Sequence, residues 1–218
     1  MPNQDAISRR WFDAATVTVV VEPNVPPIFN AQDYIGLSGA LSHSRVHVKF
    51  EGGFVQMEVA NPAVRRMIRR IVYDLESAVY RVWNAKLVIR PEFWGQDLAA
   101  RSITVQARAA KDLKFSRLSA YAEGDVTTAT ATNPNERWSG YYVWPRLGFN
   151  AAIPEDVLGK LPQGLWHATT LAHLMETPAG QNFWYEHGHG ISVDFDLTAD
   201  SISWQTLMCY TTEKQIGI

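Results

Sequence analysis

Residues Trp94, Gly95, Gln96, Asp97, Leu98 and Ala99 carry the first hint of chemistry in this sequence. They follow an apolar run that includes Val88 and Ile89 and is stopped by Pro91, and they lead into a helix-forming stretch. A tight turn that opens a helix presents unpaired backbone N–H groups and the positive end of the helix dipole. Small residues there let a phosphate approach the main chain. Val88 and Ile89 would deliver the chain to that turn, and Gly95 to Ala99 would form it. Glu92 places a carboxylate just beyond the strand end. Tyr141 and Tyr142 place two phenols in a second motif that closes with Leu147, Gly148 and Phe149.

The histidines point to chemistry less clearly. His43 and His47 are four apart, but His47 falls in an alternating stretch, where that spacing spans about 13 Å. His187 and His189 follow a predicted helix end, where a cation suits the dipole. Neither pair has a third ligand at a recognisable spacing, and Cys209 is the only cysteine. No metal site and no internal disulfide are therefore expected. There is no nucleophile elbow and no P-loop.

The elements that must position these residues read as α+β. The net charge of -2 argues against broad affinity for nucleic acid or an anionic membrane. At 218 residues the chain is expected to form one domain. The residues from Met1 to Asp5 lack the layout of a secretion signal, and no apolar run is long enough to span a bilayer. A cytoplasmic location is expected.

A helix is predicted over 7–15 with Ser8 as its cap, and a strand over 16–21. Two glycines argue against a long helix over 31–40. Residues 45–50 and 54–59 alternate around Glu51, Gly52 and Gly53, the pattern of a hairpin, with Val46, Val48 and Phe50 on one face. Residues 62–70 read as the start of a helix capped by Asn61, with Arg65, Arg66, Arg69 and Arg70 as a solvated face. Strands are expected over 68–73 and 78–83, around Asp74, Leu75, Glu76 and Ser77, and again over 86–90. Serial strands before the first strong helix favour a mostly antiparallel sheet.

The strongest helix is predicted over 97–111. Arg101, Arg108 and Asp112 fall on one face, and Ala99, Ile103, Ala107 and Ala110 on another. A strand over 117–122 follows, then a polar loop over 123–139. Residues 165–175 are expected to be helical. Thr177 and Pro178 open a further helix that Gly188 stops. Residues 191–197 alternate as a strand, while 202–210 suit either strand or helix.

The stretch 88–150 resembles the GNAT superfamily of N-acyltransferases. In that family a strand ends in a turn of the form Arg/Gln-x-x-Gly-x-Gly/Ala, which opens a long helix and holds the pyrophosphate of acetyl-CoA. A strand and a short helix ending in a Leu-Gly-Phe-like sequence follow. Here Trp94 stands where Arg or Gln is expected and Asp97 where the first glycine is expected, while Ala99 matches. Trp144 occupies the position of the family's general-acid tyrosine.

The resemblance implies a GNAT-like core over 16–150, with a mostly antiparallel central sheet flanked by helices and a C-terminal extension over 151–218 packed on it. It implies acyl transfer from acetyl-CoA or another acyl-CoA to a small-molecule or peptide amine. Val88, Ile89 and Gly95 to Ala99 would bind the cofactor. Tyr142 or Tyr141 would replace the missing acid, and Glu92 would act as base. No nucleic-acid or membrane partner is implied, and a homodimer is compatible with it. Two other readings stand beside it. One is a GNAT-like protein in which Asp97 and Trp94 block the phosphate site, leaving a binding or structural module. On that reading the Asp97 carboxylate caps the helix. The other is an unrelated α+β binding domain with the same order of elements.

Overall fold

The computed structural model describes residues 4–75 and 78–218. Met1, Pro2 and Asn3, and Glu76 and Ser77 of the predicted strand connection, lie outside them. The chain is α+β, and it divides into two compact units, Met1–Leu118 with Thr211–Ile218, and Ser119–Tyr210. No helix among the described residues is long and apolar enough to cross a membrane.

The first unit opens with α1 (Ala6–Trp11), which ends sooner than the sequence predicts. Asp5, not Ser8, is its cap, accepting from the Ile7 and Ser8 N–H groups. The strand β1 (Thr18–Val21) follows, then α2 (Ala31–Ser38). The two glycines argued against a long helix over 31–40, and α2 is short, at eight residues, with strongly specified ends. Asn30 and Asp33 form a reciprocal capping box, and Gly39 closes it in the left-handed conformation at φ 62°. A Cβ on Gly39 would stand 2.3 Å from the Ser102 carbonyl oxygen, so only glycine permits this approach.

The hairpin forms as its alternation indicates. β2 (Arg45–Glu51) pairs antiparallel with β3 (Phe54–Ala60) from Arg45↔Ala60 to Glu51↔Phe54. Val46 and Val48 are buried, while Phe50, next to the turn, is exposed.

The helix expected from Pro62 is instead β4 (Val64–Asp74). Asn61 Oδ1 accepts from the Ala63 N–H in a tight turn, and the chain then runs extended. The arginines at i, i+4 suit a helix, but Met67, Arg69 and Ile71 also alternate with Ile68, Arg70 and Val72. Pairing with β3 on one side and β5 (Val79–Ile89) on the other decides between the two periods. Backbone groups between two strands are met by the ladder, and the buried face takes residues two apart. The strands expected over 78–83 and 86–90 are one strand, β5. The four arginines are not one solvated face: Arg65 and Arg66 are exposed, but Arg69 is wholly buried.

In this unit the strands lie in the order β1-β2-β3-β4-β5, with β1 parallel to β2 and the other pairs antiparallel. α2 packs against β1 to β4, and α3 (Leu98–Asp112) packs against α2 and β5. Ile103, Ala107 and Ala110 of α3 are fully buried.

The second unit contains β6 (Arg117–Asp125) from Ser119 onward and its neighbouring strand β7 (His189–Asp196). Between them come α4 (Val126–Ala129), α5 (Gly140–Arg146), α6 (Glu155–Leu158), α7 (Leu171–Met175) and α8 (Pro178–His187). The polar stretch 123–139 is thus not all loop, since Asp125 and Thr128 form a capping box for α4. The helix predicted over 165–175 forms only from Leu171. Thr177 caps α8 as expected, its Oγ1 accepting from the Gly180 N–H at 3.1 Å. The ambiguous segment is helical, α9 (Ile202–Glu213).

Candidate functional site

The strand–turn–helix connection of the first unit brings Val88, Ile89, Glu92 and residues 95–99 into one short run of chain. Pairing of β5 with β4 ends at Val64↔Ile89, and the Arg90 N–H donates to the Ala63 carbonyl at 2.9 Å. A single 3-10 turn (Pro91–Phe93) follows, because Pro91 cannot continue the ladder. Phe93 meets Trp11 edge-on at 5.5 Å. Trp94 Nε1 donates back to the Ile89 carbonyl at 3.1 Å, and the ring stays 45% exposed. Glu92 is exposed.

Gly95 adopts φ 80°, which favours glycine, and the position of its missing Cβ is open space. Gln96 is fixed at both ends: its Oε1 accepts from Trp11 Nε1 at 2.9 Å, and its carbonyl accepts from Arg101 Nε at 3.1 Å. Asp97 then takes a left-handed conformation at φ 52°. This corrects the capping expectation. Asp97 holds the N-cap position, but its side chain makes no capping hydrogen bond. A capping side chain needs an extended backbone to reach the N–H groups one turn on. The first helical bond runs from the Arg101 N–H to the Asp97 carbonyl at 3.0 Å. The N–H groups of Leu98, Ala99 and Ala100 precede it, and no Asp97 carboxylate fills their end of the helix.

Sequence reasoning missed what anchors this turn. Arg101, assigned to a polar helix face, is only 2% exposed. Its Nη1 donates to Asp5 Oδ2 and Ser8 Oγ, while its Nε holds the turn at Gln96. Asp5 Oδ2 also accepts from the Gly217 N–H at 2.8 Å. Burial works to raise the Asp5 pKa. The Arg101 guanidinium and the Ser8 and Gly217 N–H groups outweigh it and hold the carboxyl well below the usual carboxylate range. Asp5 and Arg101 are 96 residues apart, so no local pattern signals the pair.

The predicted acids lie in the second unit, on α5. Tyr141 is fully buried, and its hydroxyl donates to the Tyr185 carbonyl at 2.7 Å. Burial pushes its phenol well above the usual range, with Tyr185, Asp125 and Tyr142 adding to the shift. Trp184 Nε1 donates to the Tyr141 carbonyl at 2.8 Å and pins α5 to α8. Tyr141 is a packing residue with its proton committed. Tyr142 is half-buried, edge-on to Tyr185 at 5.1 Å, with the Arg146 guanidinium 5.5 Å from its ring centre. Trp144 packs edge-on against Phe149 at 4.7 Å.

Among the described residues no three His, Cys, Asp or Glu side chains gather to hold a metal ion. His47 pairs with Glu22 at 3.2 Å and His189 with Asp156 at 3.3 Å, each an exposed two-residue contact. No protein-family model matches the chain, and no curated protein is significantly similar to it.

Proposed function

We propose that the first unit binds a phosphate-bearing acyl carrier of the acyl-CoA class at the turn between β5 and α3, and that the protein is a GNAT-like N-acyltransferase acting on an amine. The observation that carries this reading is the N-terminus of α3. Its first-turn N–H groups are left to an outside acceptor, because the residue at the cap position is turned left-handed and does not cap. Open space beside Gly95 and the rigid hold of Trp11 and Arg101 on Gln96 fit a diphosphate meeting main chain. The Asp97 carboxylate opposes it and lowers the affinity. An acyl-CoA would supply the activated thioester. Val88 and Ile89 would lie along its pantetheine arm, and Glu92 would take the proton of the attacking amine. In the second unit the Tyr141 proton is held by the Tyr185 carbonyl, so Tyr141 is not a proton donor.

One observation favours a second reading. Trp144 stands at the family's acid position and is packed on Phe149, which suits a GNAT-like binding module without catalysis. Calorimetric titration with CoA and acetyl-CoA tests both. Acetyl-CoA binding with acyl transfer to an amine panel supports the enzyme. Absence of binding at millimolar CoA removes the enzyme and leaves the module with its phosphate site blocked. Asp97→Gly should tighten CoA about 3- to 10-fold by removing one like charge near the phosphates, the effect of a unit charge at ~5 Å in a largely solvated setting. Unchanged affinity would show that the phosphates do not sit at this turn.

A further inference from the structure

Arg69 is among the largest fully buried side chains, at 0% exposure. It lies in the middle of the first unit's sheet, in a cross-strand row that runs Val48, Met57, Arg69, Asn84. Its neighbours two residues away on the same strand face are Met67 and Ile71, both buried. A guanidinium in such surroundings is normally matched by a carboxylate. Among the described residues Arg69 has one hydrogen bond, from Nη1 to the Lys86 carbonyl at 3.1 Å, and its Nε and Nη2 find no partner. Nor does its cross-strand neighbour supply one: Asn84 is 3% exposed, and both Nδ2 and Oδ1 lack partners. Burial alone pushes the guanidinium pKa down, to about 9, and no acid offsets it.

The register places these two side chains deliberately. Pairing runs Ile68↔Lys86 and then Arg69↔Asn84, so Ala85 is an extra residue on β5 at this point. Without this bulge, the residue opposite Arg69 would be Ala85, and Asn84 would face the other way. The bulge brings a second orphaned polar side chain beside the first. Four buried atoms that could hydrogen-bond, two on each side chain, therefore point to something other than the described protein groups.

The identity of the occupant follows from which nitrogens are left over. Nε–H and Nη2–H are the two parallel donors on one edge of a guanidinium, and their spacing matches the two oxygens of a carboxylate. Water would meet the hydrogen bonds but leave a buried positive charge uncompensated. A carboxylate meets both needs, and the Asn84 amide provides a further donor. We propose that Arg69 and Asn84 form an internal binding site for a small monocarboxylate, held bidentately by Nε and Nη2 of Arg69 with Asn84 Nδ2 as a third donor. The site stands apart from the acyl-carrier reading and does not depend on it.

The test is thermal unfolding of the whole protein, first dialysed exhaustively into chloride, with formate or acetate added at constant ionic strength. Samples are equilibrated long enough for a buried site to exchange. The melting temperature should rise saturably, by about 5–10 °C at ~100 times the dissociation constant. The rise should vanish in Arg69→Met and fall sharply in Asn84→Ala. Should Arg69→Met fail to fold, carbon-13 formate provides a second readout, broadened by the wild type and not by Asn84→Ala. A rise of equal size in Asn84→Ala overturns the site. So does an equal rise when bromide replaces formate, which would make the occupant any small anion. Absence of both a saturable rise and broadening also overturns it, and would mean that Arg69 and Asn84 are met by each other or by water.

Discussion

Replacing Asp5 by Asn isolates what the Asp5–Arg101 pair does for the candidate turn. Asn is as good a helix cap as Asp. The bonds from the Ile7 and Ser8 N–H groups to Oδ1 should therefore persist. What is lost is the negative Oδ2, which accepts from Arg101 and from the Gly217 N–H. Arg101 keeps a side chain only 3% exposed, so the substitution leaves a buried charge without its counter-ion. Breaking a buried pair in this way costs ~3–5 kcal/mol. The lower end applies, because the Asp5 side chain is 25% exposed and water can partly replace it. About 3 kcal/mol corresponds to a fall in melting temperature of ~6–12 °C for a chain of this size.

The assay is urea unfolding of wild type, Asp5→Asn, Arg101→Met and the double variant. Arg101→Met should cost at least ~1.5 kcal/mol less in the Asp5→Asn background than in the wild type, a coupling expected only of groups in contact. The pH dependence has a definite sign. The folded Asp5 carboxyl titrates below its unfolded value of ~3.9. Its contribution is therefore present above about pH 4–5 and is lost as pH falls through the folded value. The gap between wild type and Asp5→Asn should close below pH 4. Equal costs of Arg101→Met in both backgrounds, or a gap unchanged at low pH, would refute the pairing as the anchor of the turn.

Gly39→Ala should destabilise by more than ~3 kcal/mol, since it adds left-handed strain to a clash with the Ser102 carbonyl oxygen. A loss below ~1 kcal/mol in denaturant unfolding would mean that α2 and α3 do not meet there. Tyr141→Phe should cost ~1–3 kcal/mol by leaving the Tyr185 carbonyl without its donor, with little effect on any acyl transfer.

Much of the architecture was legible locally. The hairpin of β2 and β3, the long helix α3 and the cap of α8 follow from period-two alternation, helical spacing and a Thr–Pro start. The order of strand, turn, helix and strand around residues 88–122 was legible for the same reason. The candidate turn itself was read correctly as a turn, because Pro91 and Gly95 act through their own backbone. Asp97 was misread as a capping residue. Residue type favours a cap there, but the left-handed backbone at Asp97 does not aim its side chain at the first-turn N–H groups.

The sequence by itself determined where the chain turns and which stretches have a buried face, since propensity and periodicity act over a few residues. Tertiary structure decided the rest. Arginine spacing in residues 64–74 suits a helix or a strand, and only flanking by β3 and β5 makes it β4. The same pairing carries Arg69 into the core beside Asn84, where one residue's shift in register would have turned Asn84 away. The Asp5–Arg101 pair joins the start of the chain to the first turn of α3 across 96 residues. A contact of that separation leaves no trace in local pattern, because its energy exists only once the fold has brought the two charges together and removed the water between them.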